Sequence, residues 1–156
     1  MRTEALSRWT PYALSLLRIF VALTFFQHGT HKYFNFPSGK SYQGINLATM
    51  QGWAGTIELF VGFLILVGLF TRLSSFIAAG EMAVGYFVIH APASFFTAKN
   101  GGENAYLFCF VFLFFVFAGP GPISIDHWLN RRRAGTEVGG HRTKDTKDHN
   151  ADQITL

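Results

Sequence analysis

Four apolar stretches dominate this chain and leave it few possible folds. Each approaches the ~20 residues a helix needs to cross a bilayer. They run from about Tyr12 to Phe34, Gln51 to Phe70, Arg72 to His90 and Glu103 to Ala118. Hydrocarbon offers no partners to backbone N–H and C=O groups, so a spanning segment must be a helix or a strand of a closed barrel. Barrel strands are short and alternate in polarity, whereas these runs are long and continuous. The expected fold is therefore all-α: an integral membrane four-helix bundle over residues 1–133, followed by a disordered polar C-terminal tail over residues 134–156.

Composition agrees. Hydrophobic residues make up 49% of the 156 residues and charged residues only 14%, against a usual ~25% charged. A soluble domain of this size could not hide 18 phenylalanines without large apolar patches on its surface. Arg18 interrupts the first apolar run and no small-x-small cleavage site follows it, so that run reads as a retained helix rather than a signal peptide. Cys109 is the one cysteine, which excludes an internal disulfide and any CxxC redox or zinc site. The +4 net charge gathers beside the apolar ends and marks membrane orientation; no nucleic acid partner is expected.

The connections set the topology. Thr71-Arg72 reads as a tight turn between antiparallel neighbours, Pro92 stops the third run, and Gly119-Pro120-Gly121-Pro122 stops the fourth. Pro11 suits a first helical position, with Thr10 as its cap. One side collects Arg2, Arg8, Arg72, Arg131, Arg132, Arg133, Arg142, Lys144 and Lys147; the other has Lys32, Lys40 and Lys99. By the positive-inside rule the first side is cytoplasmic and holds both termini. Trp9, Trp53 and Trp128 fall near span ends, as interfacial anchors do. Gly55, Gly62, Ala79 and Ala83 are small enough to let helices approach closely.

Ionisable groups inside a membrane are costly and call for a partner or a role. Measured from the cytoplasmic ends, Arg18 lies about 9 Å deep and Glu81 about 13 Å deep, so an Arg18–Glu81 ion pair is expected in the bundle interior. Such a pair would fix helix register or form the floor of a site. Toward the other face, His28, Glu58 (about 7 Å below its helix end), His90 and Glu103 come from all four spans. Together they suggest a polar pocket, with His28 and Glu58 as candidate catalytic groups and Arg18, Glu81, Glu103 and His90 as pocket lining. His28 and His31 share a helix face, yet no Glu-x-x-His motif is present, so a metal is disfavoured. Histidine beside buried carboxylates suits proton exchange with a quinone head group. The bland alternative for His28 is an interhelical hydrogen bond, and for Glu103 a favourable place at a helix N-terminus.

Over about Leu16 to Asp126 the chain resembles the DoxX family of small membrane proteins. The resemblance rests on Arg18, Gln27-His28-Gly29 and Lys32, on Glu58-x-x-x-Gly62, and on Gly68-Leu69-x-Thr71-Arg72. It continues through Gly102-Glu103-x-Ala105, Gly119-Pro120-Gly121 and Ser124-x-Asp126. It implies a four-helix membrane fold and a link to quinone-dependent redox chemistry, since relatives include subunits of a quinol oxidase and of a thiosulfate:quinone oxidoreductase. The expected function is a quinone-linked oxidoreductase, or a subunit of one, in the bacterial cytoplasmic membrane. Alternatives are a non-catalytic accessory or assembly subunit of a larger respiratory complex and a small carrier for a thiol or sulfur species. The chain has no flavin or nicotinamide motif and no cluster-ligating cysteines, which leaves the electron donor open.

Overall fold

The computed structural model describes residues 6–37 and 46–134. Among these, every regular element is helical: α1 (Thr10–Phe34), α2 (Met50–Val67), α3 (Thr71–Gly85), α4 (Thr97–Asn100) and α5 (Glu103–Ala118). Helix α3 runs on through a π-helical turn, Tyr86–His90, and a further helix covers residues 125–134. Three helices, Thr10–Phe34, Met50–Val67 and Thr71–His90, are long and apolar enough to cross a membrane, and α5 is a shorter apolar helix. Packing runs in chain order, α1 on α2, α2 on α3 and α3 on α5. The core is Ala22, Phe25, Ile65, Ala78, Ala79, Phe112 and Phe115. Its aromatic centre is an edge-on contact of Phe25 and Phe112 with ring centroids 4.7 Å apart. The outer surface is apolar: Phe20, Phe60, Phe76, Phe87 and Phe117 are each more than half exposed, as suits side chains solvated by lipid rather than water.

Helices α1 and α2 meet through glycine. A Cβ on Gly29 would lie 2.6 Å from the Leu59 backbone nitrogen, and one on Gly62 would lie 3.1 Å from the Phe26 Cα. With little hydrophobic gain to be had between helices in lipid, such close backbone approach is what holds them together.

One end of the bundle is fastened by charge. Arg18, only 1% exposed, donates from Nε to Pro120 O at 3.0 Å, from Nη1 to the carbonyls of Ile65 and Leu66, and from Nη2 to Ile123 O. It thereby satisfies the orphan carbonyls at the end of α2 and ties down the chain leaving α5. Arg72 does the same for α5, donating to Val116 O and Phe117 O. The Asp126 carboxylate accepts from Phe70 N–H and Thr71 N–H, both at 2.9 Å, and so caps the start of α3. Gly68 closes α2 at φ 72°, where a side chain would be strained and its Cβ would meet Arg18 Nη1 at 2.7 Å.

Several expectations are corrected here. Arg18 does not pair with Glu81. The depth argument set the cytoplasmic ends of α1 and α3 level, but α1 starts about two turns before its neighbours, so Arg18 lies where α2 ends. Helix α2 ends at Val67 rather than Phe70, because the left-handed Gly68 terminates it; the tight turn is therefore Gly68 to Phe70. The cap of α1 is Trp9, with Pro11 in the first turn. The short α4 lies in the connection between the third and fourth apolar runs, and the helix over residues 125–134 follows the stop at Pro122. The disorder expected from Ala134 onward lies, apart from Ala134 itself, outside the described residues, as do Arg2, Lys40, Arg142, Lys144 and Lys147.

Candidate functional site

At the opposite end, α2 and α3 diverge around a cavity of about 660 Å³. Met50, Trp53 and Glu58 of α2 form one wall, Phe76, Gly80 and Glu81 of α3 the other, and His31 and Lys32 of α1 reach in from behind. His90, at the end of the π turn, lines the rim. Gly80 and Gly85 widen the α3 wall, since a Cβ on either would meet nothing within 4 Å. Trp53, Phe76, Ile77 and Ile89 line the cavity and are also exposed on the bundle surface. The mouth therefore faces the lipid-solvated side of the bundle.

Four polar groups define its chemistry. Lys32 Nζ lies 2.6 Å from Glu58 Oε2, with side-chain exposures of 24% and 7%. The pair bridges α1 and α2 next to the Gly29 crossing, where a Cβ would touch the Glu58 backbone. Glu58 is eight residues into α2 and Glu81 nine residues short of His90, so both carboxylates sit about 12–14 Å from that end of the bundle. Glu81 lies within electrostatic reach of Glu58 and Lys32. Both of its carboxylate oxygens are buried without a hydrogen-bond partner, a costly state for a charged group. His90 Nδ1 is 3.0 Å from the Asn100 carbonyl. A carbonyl only accepts, so Nδ1 donates in this contact, which does not involve Nε2. Around it, Tyr86 Oη donates to Phe95 O, and Asn100 Nδ2 donates to Ser94 O at 2.7 Å. These bonds hold the connection between α3 and α5 in place.

The six sequence candidates divide. Glu58, Glu81 and His90 converge on the cavity. Arg18 lies at the far end of the bundle. His28 is not among the lining residues; its ring packs edge-on against Phe108 with centroids 6.0 Å apart. Glu103 is exposed in the first turn of α5 and also lies off the cavity. Lys32 was read only as a span-end residue, although it is the partner of Glu58. The missing signal was the α1–α2 register, which Gly29 against Leu59 and Gly62 against Phe26 set.

Several long apolar helices with an apolar exterior define a multi-pass membrane protein. The chain belongs to the DoxX family, whose model matches residues 13–91. It is 43% identical over 128 residues to an uncharacterized protein of Haemophilus influenzae strain Rd, an overlap covering 78% of this chain and 94% of that one. A second uncharacterized protein of the same strain is 27% identical over 131 residues, covering 76% and 84% of the two chains. No solved structure matches the chain.

Proposed function

We propose that this protein is a quinone-binding subunit of a membrane oxidoreductase in the bacterial cytoplasmic membrane, and that the cavity between α2 and α3 receives the quinone head group. One observation carries the reading: Glu81, whose buried carboxylate has no hydrogen-bond partner, lines an apolar-walled cavity beside the Lys32–Glu58 pair. The volume lies within the ~300–1,000 Å³ of small-molecule sites. A quinone is flat, lipid-soluble and carries carbonyl acceptors, and its two-electron reduction consumes two protons; a partner redox subunit supplies the electrons. Lys32 can donate to a carbonyl while Glu58 holds it in place. Glu81, when protonated, donates a hydrogen bond and a proton. His90, with Nδ1 committed to Asn100, exchanges protons through Nε2 at the rim. Trp53 and Phe76 supply the apolar walls. The arginine-rich end faces the cytoplasm, which places both termini there and the cavity toward the opposite face.

The test uses the full chain in nanodiscs, titrated with a short-chain benzoquinone while Trp53 fluorescence is followed, with Trp53→Phe as the control for Trp9 and Trp128. The wild type should quench saturably. Glu81→Leu, which can neither donate nor accept, should weaken binding by about tenfold, the effect of losing one hydrogen bond of ~1.5 kcal/mol to an acidic group. Gly80→Leu, which fills open space, should abolish it. Non-saturable quenching of the wild type, or equal affinity in Gly80→Leu, would overturn the assignment.

A further inference from the structure

The outer face of α1 carries a feature with no part in the quinone reading. The buried stripe of this helix is Ser15, Arg18, Ala22, Phe25 and Gly29. On the opposite face Ala13, Leu16, Phe20, Leu23 and Gln27 are all exposed, and they recur at alternating steps of three and four residues. Exposed apolar side chains are ordinary on a helix solvated by lipid; an exposed amide is not. Thr24, nearby on the same face, donates to its own helix at Phe20 O, 3.0 Å away. The Gln27 side chain makes no hydrogen bond among the described residues; only its main-chain carbonyl is engaged, by Thr30 Oγ1. Its depth follows from the α1–α2 crossing, where Gly29 meets Leu59 and Gly62 meets Phe26. Gln27 is therefore level with Val61, about 16 Å from the Met50 end of α2 and about 9 Å from its Val67 end. At that depth the surroundings are hydrocarbon, which offers the amide no partner.

We propose that this face of α1 is the contact between two copies of the chain, with Gln27 bonded across the two-fold axis to Gln27 of the second copy. Three features commit the face to a second copy. A glutamine amide both donates and accepts, so it is its own complement when the same residue meets itself. All copies share one orientation in the membrane, so α1 helices pair in parallel and bring Gln27 to Gln27 at one depth. The alternation of three and four residues is the spacing by which identical helices interdigitate, and one polar residue within such a stripe fixes their register. No charged side chain lies on the stripe to repel its mate. A different subunit would have to bring a matching pattern, whereas this chain carries both halves. Interhelical amide bonds of this kind hold membrane helices together where the hydrophobic effect gives no drive.

The experiment is resonance energy transfer between donor- and acceptor-labelled full chains in liposomes, followed as lipid dilutes the protein. Transfer should exceed chance proximity and fit a monomer–dimer equilibrium. Gln27→Leu should weaken the dimer by about tenfold, the effect of one interhelical hydrogen bond in a membrane. Gln27→Asn, which keeps the amide, should hold it within about threefold. Helical circular dichroism checks that each variant folds. Cysteine cross-linking with Cys109→Ala as background locates the face: Leu23→Cys should join to its mate under oxidation. Phe60→Cys, exposed at a similar depth on α2, should not. Transfer no greater than chance overturns the proposal, as does a Gln27→Leu chain that dimerises like the wild type. Cross-linking at Phe60→Cys in place of Leu23→Cys overturns it too, since the copies would then meet through another face. So does a photo-reactive residue at position 27 that, in the native membrane, joins to a different protein and never to a second copy.

Discussion

Gly29→Ala tests the α1–α2 crossing and, through it, the chemistry of the cavity. The added methyl would stand 2.6 Å from Leu59 N, 2.8 Å from Leu59 Cα and 3.0 Å from the Glu58 carbonyl carbon. All three are main-chain atoms inside a helix, so no side chain can swing aside. Restoring ordinary contact near 3.4 Å requires the helices to part by about 0.8 Å, and a gap of that size forfeits roughly a quarter to a half of the dispersion energy along the seam. Overpacking of this kind costs about 1–3 kcal/mol, partly offset by the ~1 kcal/mol that alanine gains over glycine in a helix. The expected net loss is about 0–2 kcal/mol, which puts Gly29→Ala about 1–3 kcal/mol below an alanine placed in open space. Gly80→Ala is the matched control: it has the same helix-propensity gain and nothing within 4 Å of its Cβ, so it should be neutral or stabilising by up to ~1 kcal/mol. The same displacement would stretch the 2.6 Å Lys32–Glu58 contact, so Gly29→Ala should also weaken quinone binding while Gly80→Ala leaves it within about twofold, a difference near 0.4 kcal/mol. Unfolding by SDS titration in mixed micelles gives the stabilities. If the two alanine variants shift stability alike, the reasoning about close backbone approach fails.

The other expectations concern the two ends of the bundle. Lys32→Met leaves the nearly buried Glu58 carboxylate without its cation and should destabilise by about 3 kcal/mol, the low end for a broken buried pair because Lys32 keeps some exposure. The double variant Lys32→Met/Glu58→Gln should recover more than half of that loss, and thermal unfolding that shows no recovery would mean the pair does not couple the helices. Arg18→Lys should cost about 2 kcal/mol or more, since one ammonium cannot reach four carbonyls that the planar guanidinium serves. A variant melting with the wild type would show that those carbonyls find other partners.

The spans were readable from sequence because lipid imposes one rule on every residue of a segment, and apolar length is sufficient evidence of it. Which ionisable groups would meet was less legible, and the errors have two sources. Depth along a helix was counted from the end of each apolar run, as if all helices started level. Arg18 was therefore set against Glu81, when the early start of α1 brings it to the end of α2. Glu58 was placed about 7 Å deep when α2, starting at Met50, puts it near 12 Å. Rotation was the second unknown: a helix with little apolar asymmetry gives no sign of which face meets its neighbour. The sequence points to His28 as the catalytic candidate of α1, yet it is Lys32, one turn on, that joins Glu58, while His28 packs on Phe108. Glycine carried part of the missing register, since the close contacts of Gly29 and Gly62 help set how α1 and α2 slide and turn against each other.

The residues that carry the family resemblance separate by place, and the separation tells which of them to suspect of chemistry. Arg18, Gly68, Thr71, Arg72 and Asp126 all act on main-chain groups at one end: the arginines on the last carbonyls of α2 and α5, the aspartate on the first amides of α3. Their hydrogen bonds are spent on closing the bundle, and changing them should be felt first as lost stability. Lys32 and Glu58 lie at the other end, beside Glu81 and His90, and there the polar capacity is not used up: Glu81 has no hydrogen-bond partner and the His90 bond to Asn100 does not involve Nε2. A fold that closes one end so thoroughly can leave α2 and α3 apart at the other without losing its shape. A buried carboxylate with nothing to bind is costly unless something outside the chain completes it. Tests of function therefore belong at the open end, with Glu81 as the first residue to change.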